Sequence, residues 1–164
     1  MSLPPTIGVS SAVQRAAEYA GPVAPERFVR LTAEGLSWAT PCQARLRFGR
    51  EGRQRQVHCE IRGALTLRCE PCEKLFAREV NITTQWTLVE SDEAELAALA
   101  HAEPVRFEDD QLAVDEALEQ ELILDLPVVA RCPACERTLA KAPSNVTPGG
   151  PTHKPFAGLR LGKQ

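Results

Sequence analysis

The sequence predicts an α+β domain: an antiparallel β-sheet, curling toward a barrel, covered by one main helix and followed by a flexible C-terminal tail. Three observations carry this reading. Three long segments in succession alternate apolar and polar residues, the period-2 pattern of half-buried strands. One later segment, Val114 to Leu126, repeats apolar residues at helical spacing. From Arg137 onward the chain is polar and rich in proline and glycine, a composition that buries no core. The expected organisation is one domain over residues 1–136, with an N-terminal helix and a possible four-cysteine clip, and a disordered basic tail over 137–164.

Each element has its own justification. Residues 1–9 read as an untied start. Ser10 or Ser11 can cap a short helix running to Tyr19 or Ala20, with Val13, Ala16, Ala17 and Ala20 as a narrow apolar stripe and Gly21-Pro22 as its stop. Glu26 to Leu31 suggests a short turn or strand. In the first alternating segment Leu36, Trp38, Cys42, Ala44, Leu46 and Phe48 share one parity, and Pro41 places the strand at an edge or breaks it there. In the second, Val57, Cys59, Ile61, Leu65, Leu67 and Cys69 share a parity; in the third, Phe76, Val80, Ile82, Trp86 and Leu88 do. Ser91 can cap a short helix toward His101, with a mobile excursion as the equal alternative, and Val105-Arg106-Phe107 suggests a short strand. In the main helix Val114, Ala117, Leu118, Glu121 and Leu122 follow helical spacing, Ile123, Leu124 and Leu126 widen the stripe, and Pro127 ends it. Glu121 lies within that apolar face. It is expected to pack its stem at the rim and keep its head in water, the alternative being a buried acid holding a strand amide or an arginine.

The chain has 164 residues, enough for one domain with a real core. No apolar run approaches the roughly 20 residues of a membrane helix, and Met1 to Val9 lacks the basic start and apolar core of a signal peptide. A cytoplasmic protein is expected. The net charge of −3 is unevenly placed: +4 over residues 1–89, −11 over 90–135 and +4 over 136–164. This suits one face turned toward polyanions and another toward basic proteins, and it equally suits a solvated acidic surface.

Six cysteines in a reducing compartment point to thiols or metal ligands. Cys69-Glu-Pro-Cys72 and Cys132-Pro-Ala-Cys135 each offer two sulfurs at chelating spacing, and zinc favours four thiolates in a tetrahedral shell. The pairs are 59 residues apart, against roughly 15–20 in a compact zinc ribbon, so a site made of both would clamp distant segments. Structural zinc at Cys69, Cys72, Cys132 and Cys135 is the leading expectation. Unmetallated thiols and a redox pair are the alternatives. Cys42 and Cys59 fall on apolar parities and read as buried thiols. His58, His101 and His153 belong to no ligand spacing.

Arg45, Arg47, Arg50, Arg53, Arg55, Arg62 and Arg68 place seven arginines in 24 residues, on one face of adjacent strands and in their turn. Arginine pairs with phosphate through two parallel hydrogen bonds, which makes these residues candidates for RNA contact. The competing reading is a solvated sheet face paired with Glu51, Glu60, Glu70 and Glu79. Aromatic side chains for base stacking are scarce, so backbone contact is the form expected. No phosphate-binding loop, dinucleotide fingerprint or nucleophile elbow occurs, and nothing in the order of residues suggests an enzyme.

The order of these pieces resembles a known family. Cys69-x-x-Cys72 follows an alternating strand and precedes the strand Phe76 to Glu90. An acidic stretch follows, then Glu121-Leu-Ile-Leu-Asp-Leu-Pro127-Val-Val and a Lys154-Pro-Phe156-Ala-x-Leu ending. Arg15-Ala-Ala-Glu and Pro25-Glu-Arg-Phe-Val also sit where the family has comparable segments. The chain is similar to the bacterial YceD family of large ribosomal RNA subunit accumulation proteins. The resemblance implies a non-enzymatic role in synthesis, processing or stability of 23S rRNA and in large-subunit assembly. The implied partners are 23S rRNA or a precursor large subunit, with a basic ribosomal or rRNA-processing protein on the acidic segment. A zinc-stabilised protein-interaction adaptor without RNA contact is the alternative.

Overall fold

The computed structural model describes residues 2–140. In chain order the elements are β1 (Thr6–Gly8), α1 (Val9–Gln14), β2 (Glu18–Val23), a 3-10 turn (Pro25–Arg27), α2 (Val29–Ala33), β3 (Ser37–Glu51), β4 (Gln54–Arg68), β5 (Leu75–Val89), α3 (Asp92–Ala98), β6 (Glu103–Arg106), β7 (Gln111–Ala113), α4 (Val114–Asp125) and α5 (Pro133–Ala140). The three alternating segments are the long central strands β3, β4 and β5. Gly52-Arg53 joins β3 to β4 as a two-residue turn between the paired Glu51 and Gln54. Gly52 has φ +58°, a conformation open to glycine without steric penalty.

The main sheet has the order β2-β3-β4-β5-β6, and a separate ribbon pairs β1 with β7. All pairings are antiparallel except β5 with β6. The architecture is α+β, as the sequence predicts, but the sheet does not close into a barrel. Closure needs continuous pairing around the ring. Here β2 and the four-residue β6 remain as edges, and helices and the β1–β7 ribbon cover the inner face.

Register places Phe48, Val57 and Trp86 side by side, then Leu46 beside Cys59, then Ala44, Ile61 and Ile82. From β3 and β4 and from Trp86 these residues join one core with Val9, Val13, Phe28, Leu31, Leu112, Leu118 and Leu122 from the opposite layer. Burying each such side chain stabilises the fold by about 1.5–3 kcal/mol. Cys42 and Cys59 lie fully inside. Burial pushes the Cys42 thiol up to about 12 and raises Cys59 as well, so both stay protonated.

Several local expectations change. The N-terminal helix stops at Gln14 instead of continuing to Tyr19 or Ala20. Ala16 turns to φ +46°, and residues 18–23 pair with β3 across Glu18↔Arg47 to Val23↔Cys42. Gly21-Pro22 therefore lies in an edge strand, because the pairing outweighs a weak helical stripe. Pro41 sits where β3 is irregular: register slips between Trp38 and Thr40 and again between Thr40 and Gln43. Ser91 caps α3 through the amide of Ala94 at 3.2 Å, as expected. Asp110 faces α1: its carboxylate accepts from the Ser10 amide at 2.9 Å and hydroxyl at 2.6 Å. Helix α5 spans residue 136, the expected domain limit. The expected tail lies outside the described residues from 141 onward.

Candidate metal centre and charged strand face

The turn between β4 and β5 holds Cys69 and Cys72. It closes through Cys69 N–H to Lys74 O at 2.9 Å and Glu73 N–H to Cys69 O at 2.7 Å, with Glu73 at φ +60°. Cys132 immediately precedes α5, and Cys135 lies in its first turn. The Glu70 amide donates to Ala130 O at 2.9 Å, which draws the two segments together.

The four sulfurs all lie within 4.8 Å of one another. Cys72 Sγ and Cys132 Sγ are 3.8 Å apart, and a tetrahedral zinc–thiolate shell has sulfur–sulfur edges of roughly 3.8 Å. No disulfide occurs among the described residues. The donor set and its convergence therefore fit a four-coordinate metal ion. Both pairs predicted from spacing meet at one point.

Backbone amides favour anionic sulfur at two of the four positions, Cys69 and Cys132. The Cys135 backbone amide, aimed at Cys132, brings that thiol down to about 6. Burial pushes Cys69 up, but the Cys132 and Cys72 amides outweigh it and leave the thiol below its ordinary value. The Cys132 amide lies 3.2 Å from Cys69 Sγ. Cys135, hydrogen-bonded to the Cys72 side chain, is pushed up to about 12. An acidic thiol serves an oxidoreductase as well as a metal ligand. The second pair on the same point favours the ligand.

The seven candidate arginines do not form one face. Arg45, Arg47 and Arg62 project from the outer face of the sheet, opposite the core. There Arg47 pairs with Glu60 at 2.9 Å, Arg62 approaches Glu60 at 3.8 Å, and Arg45 meets Glu18 at 3.4 Å. Arg68 is exposed at the far end of β4, and Arg53 in the β3–β4 turn. Arg50 and Arg55 pair across β3 and β4 on the parity of Phe48 and Val57, the inner one. Arg55 sits 5.2 Å over the Phe107 ring and pairs with Glu90 at 3.1 Å.

A sequence model of the YceD family, described as "Large ribosomal RNA subunit accumulation protein YceD", matches residues 57–161. The chain belongs to this family. The match takes in β4, β5, both cysteine pairs and α4, and it continues beyond α5. It starts after β3, so Arg45, Arg47, Arg50, Arg53 and Arg55, and the N-terminal segments that resemble the family, fall outside it. The YceD family name carries a role in accumulation of large-subunit ribosomal RNA. No curated protein and no solved structure matches the chain. Among the described residues, no helix is long and apolar enough to cross a membrane.

Two acids are buried, one of them unforeseen in the sequence and the other with an unforeseen partner. Glu121 is 8% exposed, and its Oε1 accepts from Trp86 Nε1 at 2.7 Å. The expected wet rim position is thus corrected: the indole N–H needs a buried acceptor. Glu119 is 4% exposed. It accepts from the Arg30 and Leu31 amides at 2.7 and 3.0 Å, capping α2 from another helix. Glu119 three residues before Leu122 and Glu121 three residues after Leu118 are the only sequence signals available.

Proposed function

We propose that the protein is a non-enzymatic, cytoplasmic factor promoting 23S rRNA synthesis, processing or accumulation and assembly of the large ribosomal subunit. The observation that carries this reading is the family match over residues 57–161. The outer strand face, with Arg45, Arg47 and Arg62, and the exposed Arg53 and Arg68 would meet phosphates of 23S rRNA or of a precursor particle. Arg50 and Arg55, at the inner end of the hairpin, would join them at its rim. The acidic stretch from Glu90 to Asp125 would face a basic ribosomal or rRNA-processing protein. Zinc at Cys69, Cys72, Cys132 and Cys135 would be structural: four thiolates leave no open coordination position for chemistry.

A second reading, a zinc-stabilised adaptor without RNA contact, is favoured by the ion pairs that Glu18 and Glu60 make with the outward arginines. Fractionation of lysate on a sucrose gradient separates the two. Co-migration with immature large-subunit particles, lost when Arg45, Arg47 and Arg62 become Ala, supports the assembly factor. Recovery only at the top of the gradient, with rRNA precursors unaffected by deletion, rejects it in favour of the adaptor.

A further inference from the structure

Between α4, β6 and α3 runs an open groove of about 850 Å³. Among its apolar lining residues, Val29, Leu99 and Leu124 are 69%, 59% and 64% exposed. Three large apolar side chains around one groove form more than a scatter of surface residues. Its lining is net acidic: Glu95, Glu103, Asp115, Glu116, Glu119 and Glu121 stand against Arg27, Arg30 and Arg106, and these arginines are already paired with Asp115, Glu119, and Asp92 and Glu108. Glu95, Glu103 and Glu116 have no basic partner among the described residues, although Glu103 accepts from the Thr84 hydroxyl. The groove thus asks for an occupant with a few apolar side chains flanked by positive charge.

The chain carries such a segment. Lys154-Pro-Phe-Ala-Gly-Leu-Arg-Leu-Gly-Lys163 offers Phe156, Leu159 and Leu161 among Lys154, Arg160 and Lys163. The connection is long enough. Leu124 precedes Cys132 by eight residues, at most roughly 28 Å of chain, and α5 adds about 12 Å. The fourteen residues from Ala140 to Lys154 can span roughly 48 Å. The family match reaches residue 161 and so takes in Phe156, Leu159 and Leu161.

We propose that residues 154–163 dock in cis on this groove, with Phe156, Leu159 and Leu161 against Val29, Leu99 and Leu124, and with the basic side chains facing Glu95, Glu103 and Glu116. The contact is independent of any RNA-binding role, but it covers part of the acidic stretch from Glu90 to Asp125, so a basic protein partner would have to displace residues 154–163. Tethering makes it intramolecular, so a weak interface suffices.

The test uses the purified full chain with Leu124→p-benzoylphenylalanine, irradiated at low concentration and mapped by mass spectrometry. The expected product is an intramolecular cross-link between position 124 and the 154–163 peptide. Leu159→Asp with Leu161→Asp should reduce it about tenfold or more, since two apolar side chains lose their burial. Raising the salt concentration should weaken it further. A cross-link only to a second copy, or none to residues 154–163, overturns the proposal. A parallel measurement compares hydrogen exchange of α3 and β6 in the full chain and in Lys154→Glu with Arg160→Glu. Faster exchange in the variant is expected, and unchanged exchange counts against docking.

Discussion

Trp86 Nε1 donates to Glu121 Oε1 at 2.7 Å inside the core, tying the middle of the sheet to the helix that covers it. Burial raises the Glu121 carboxyl above its usual range, and the indole donor opposes this only in part. A raised folded pKa means the folded state holds its proton longer than the unfolded chain. Stability from this site is therefore greatest below the ordinary glutamate pKa and declines as pH rises through the folded value. Glu121→Gln keeps an acceptor for the indole and should flatten that pH dependence. Glu121→Leu leaves the N–H unpaired and should cost about 1–3 kcal/mol. Urea unfolding of both variants across mildly acidic to neutral pH checks the pair.

Cys69→Ser removes one of four converging sulfurs. Loss of bound metal and a fall in stability on the order of 3 kcal/mol or more are expected. Metal analysis and thermal unfolding with and without a chelator measure this. Unchanged metal content and an unchanged transition would defeat the clamp.

Glu119→Ala should uncap α2. The Arg30 and Leu31 amides lose their buried acceptor, at a cost of about 1–2 kcal/mol. Glu119→Gln should recover part of it, because the amide oxygen still accepts. Denaturant midpoints rank the three proteins.

Gly63 lies under Trp38. A Cβ there would meet Trp38 Cζ3 at 2.8 Å and Thr40 O at 3.2 Å. Gly63→Ala should displace the indole and destabilise the irregular end of β3 by about 1–3 kcal/mol. The near-ultraviolet signal of Trp38 should change with the unfolding midpoint.

Arg45, Arg47 and Arg62 are exposed, and their ion pairs stabilise little in water. Triple replacement by Ala should leave the unfolding midpoint nearly unchanged. If they touch phosphates, retention on heparin or RNA should drop, and the salt dependence should fall by about one unit of slope per lost contact. Unaltered retention would remove the outer face from the RNA footprint.

The central strands were legible because alternation is a local consequence of one buried face: Val57, Cys59 and Ile61 announce it without help from distant residues. The metal cluster was legible because each pair carries its own chelating spacing, although only the fold brings position 69 to position 132. What stayed hidden depends on partners far away in sequence. Residues 18–20 look helical alone and become a strand because β3 offers a pairing edge. Glu121 looks like a rim acid until Trp86 arrives beneath it. Leu124 looks like one more core residue, yet the turn of α4 carries it out to the groove. The arginines read as one face from their density; parity and the hairpin turn divide them between two faces.

The ribbon that pairs Thr6–Gly8 with Gln111–Ala113 also sets a timetable. During synthesis from the N-terminus, β1 emerges with no partner and must wait until more than a hundred further residues have been made. The cysteine turn at 69–72 waits similarly for Cys132. Domains tend to fold as units as the chain is made, and pairings this distant in sequence form slowly. The native state can thus be completed only after Cys132 has been made, which lengthens the exposure of β1 to proteases and early partners.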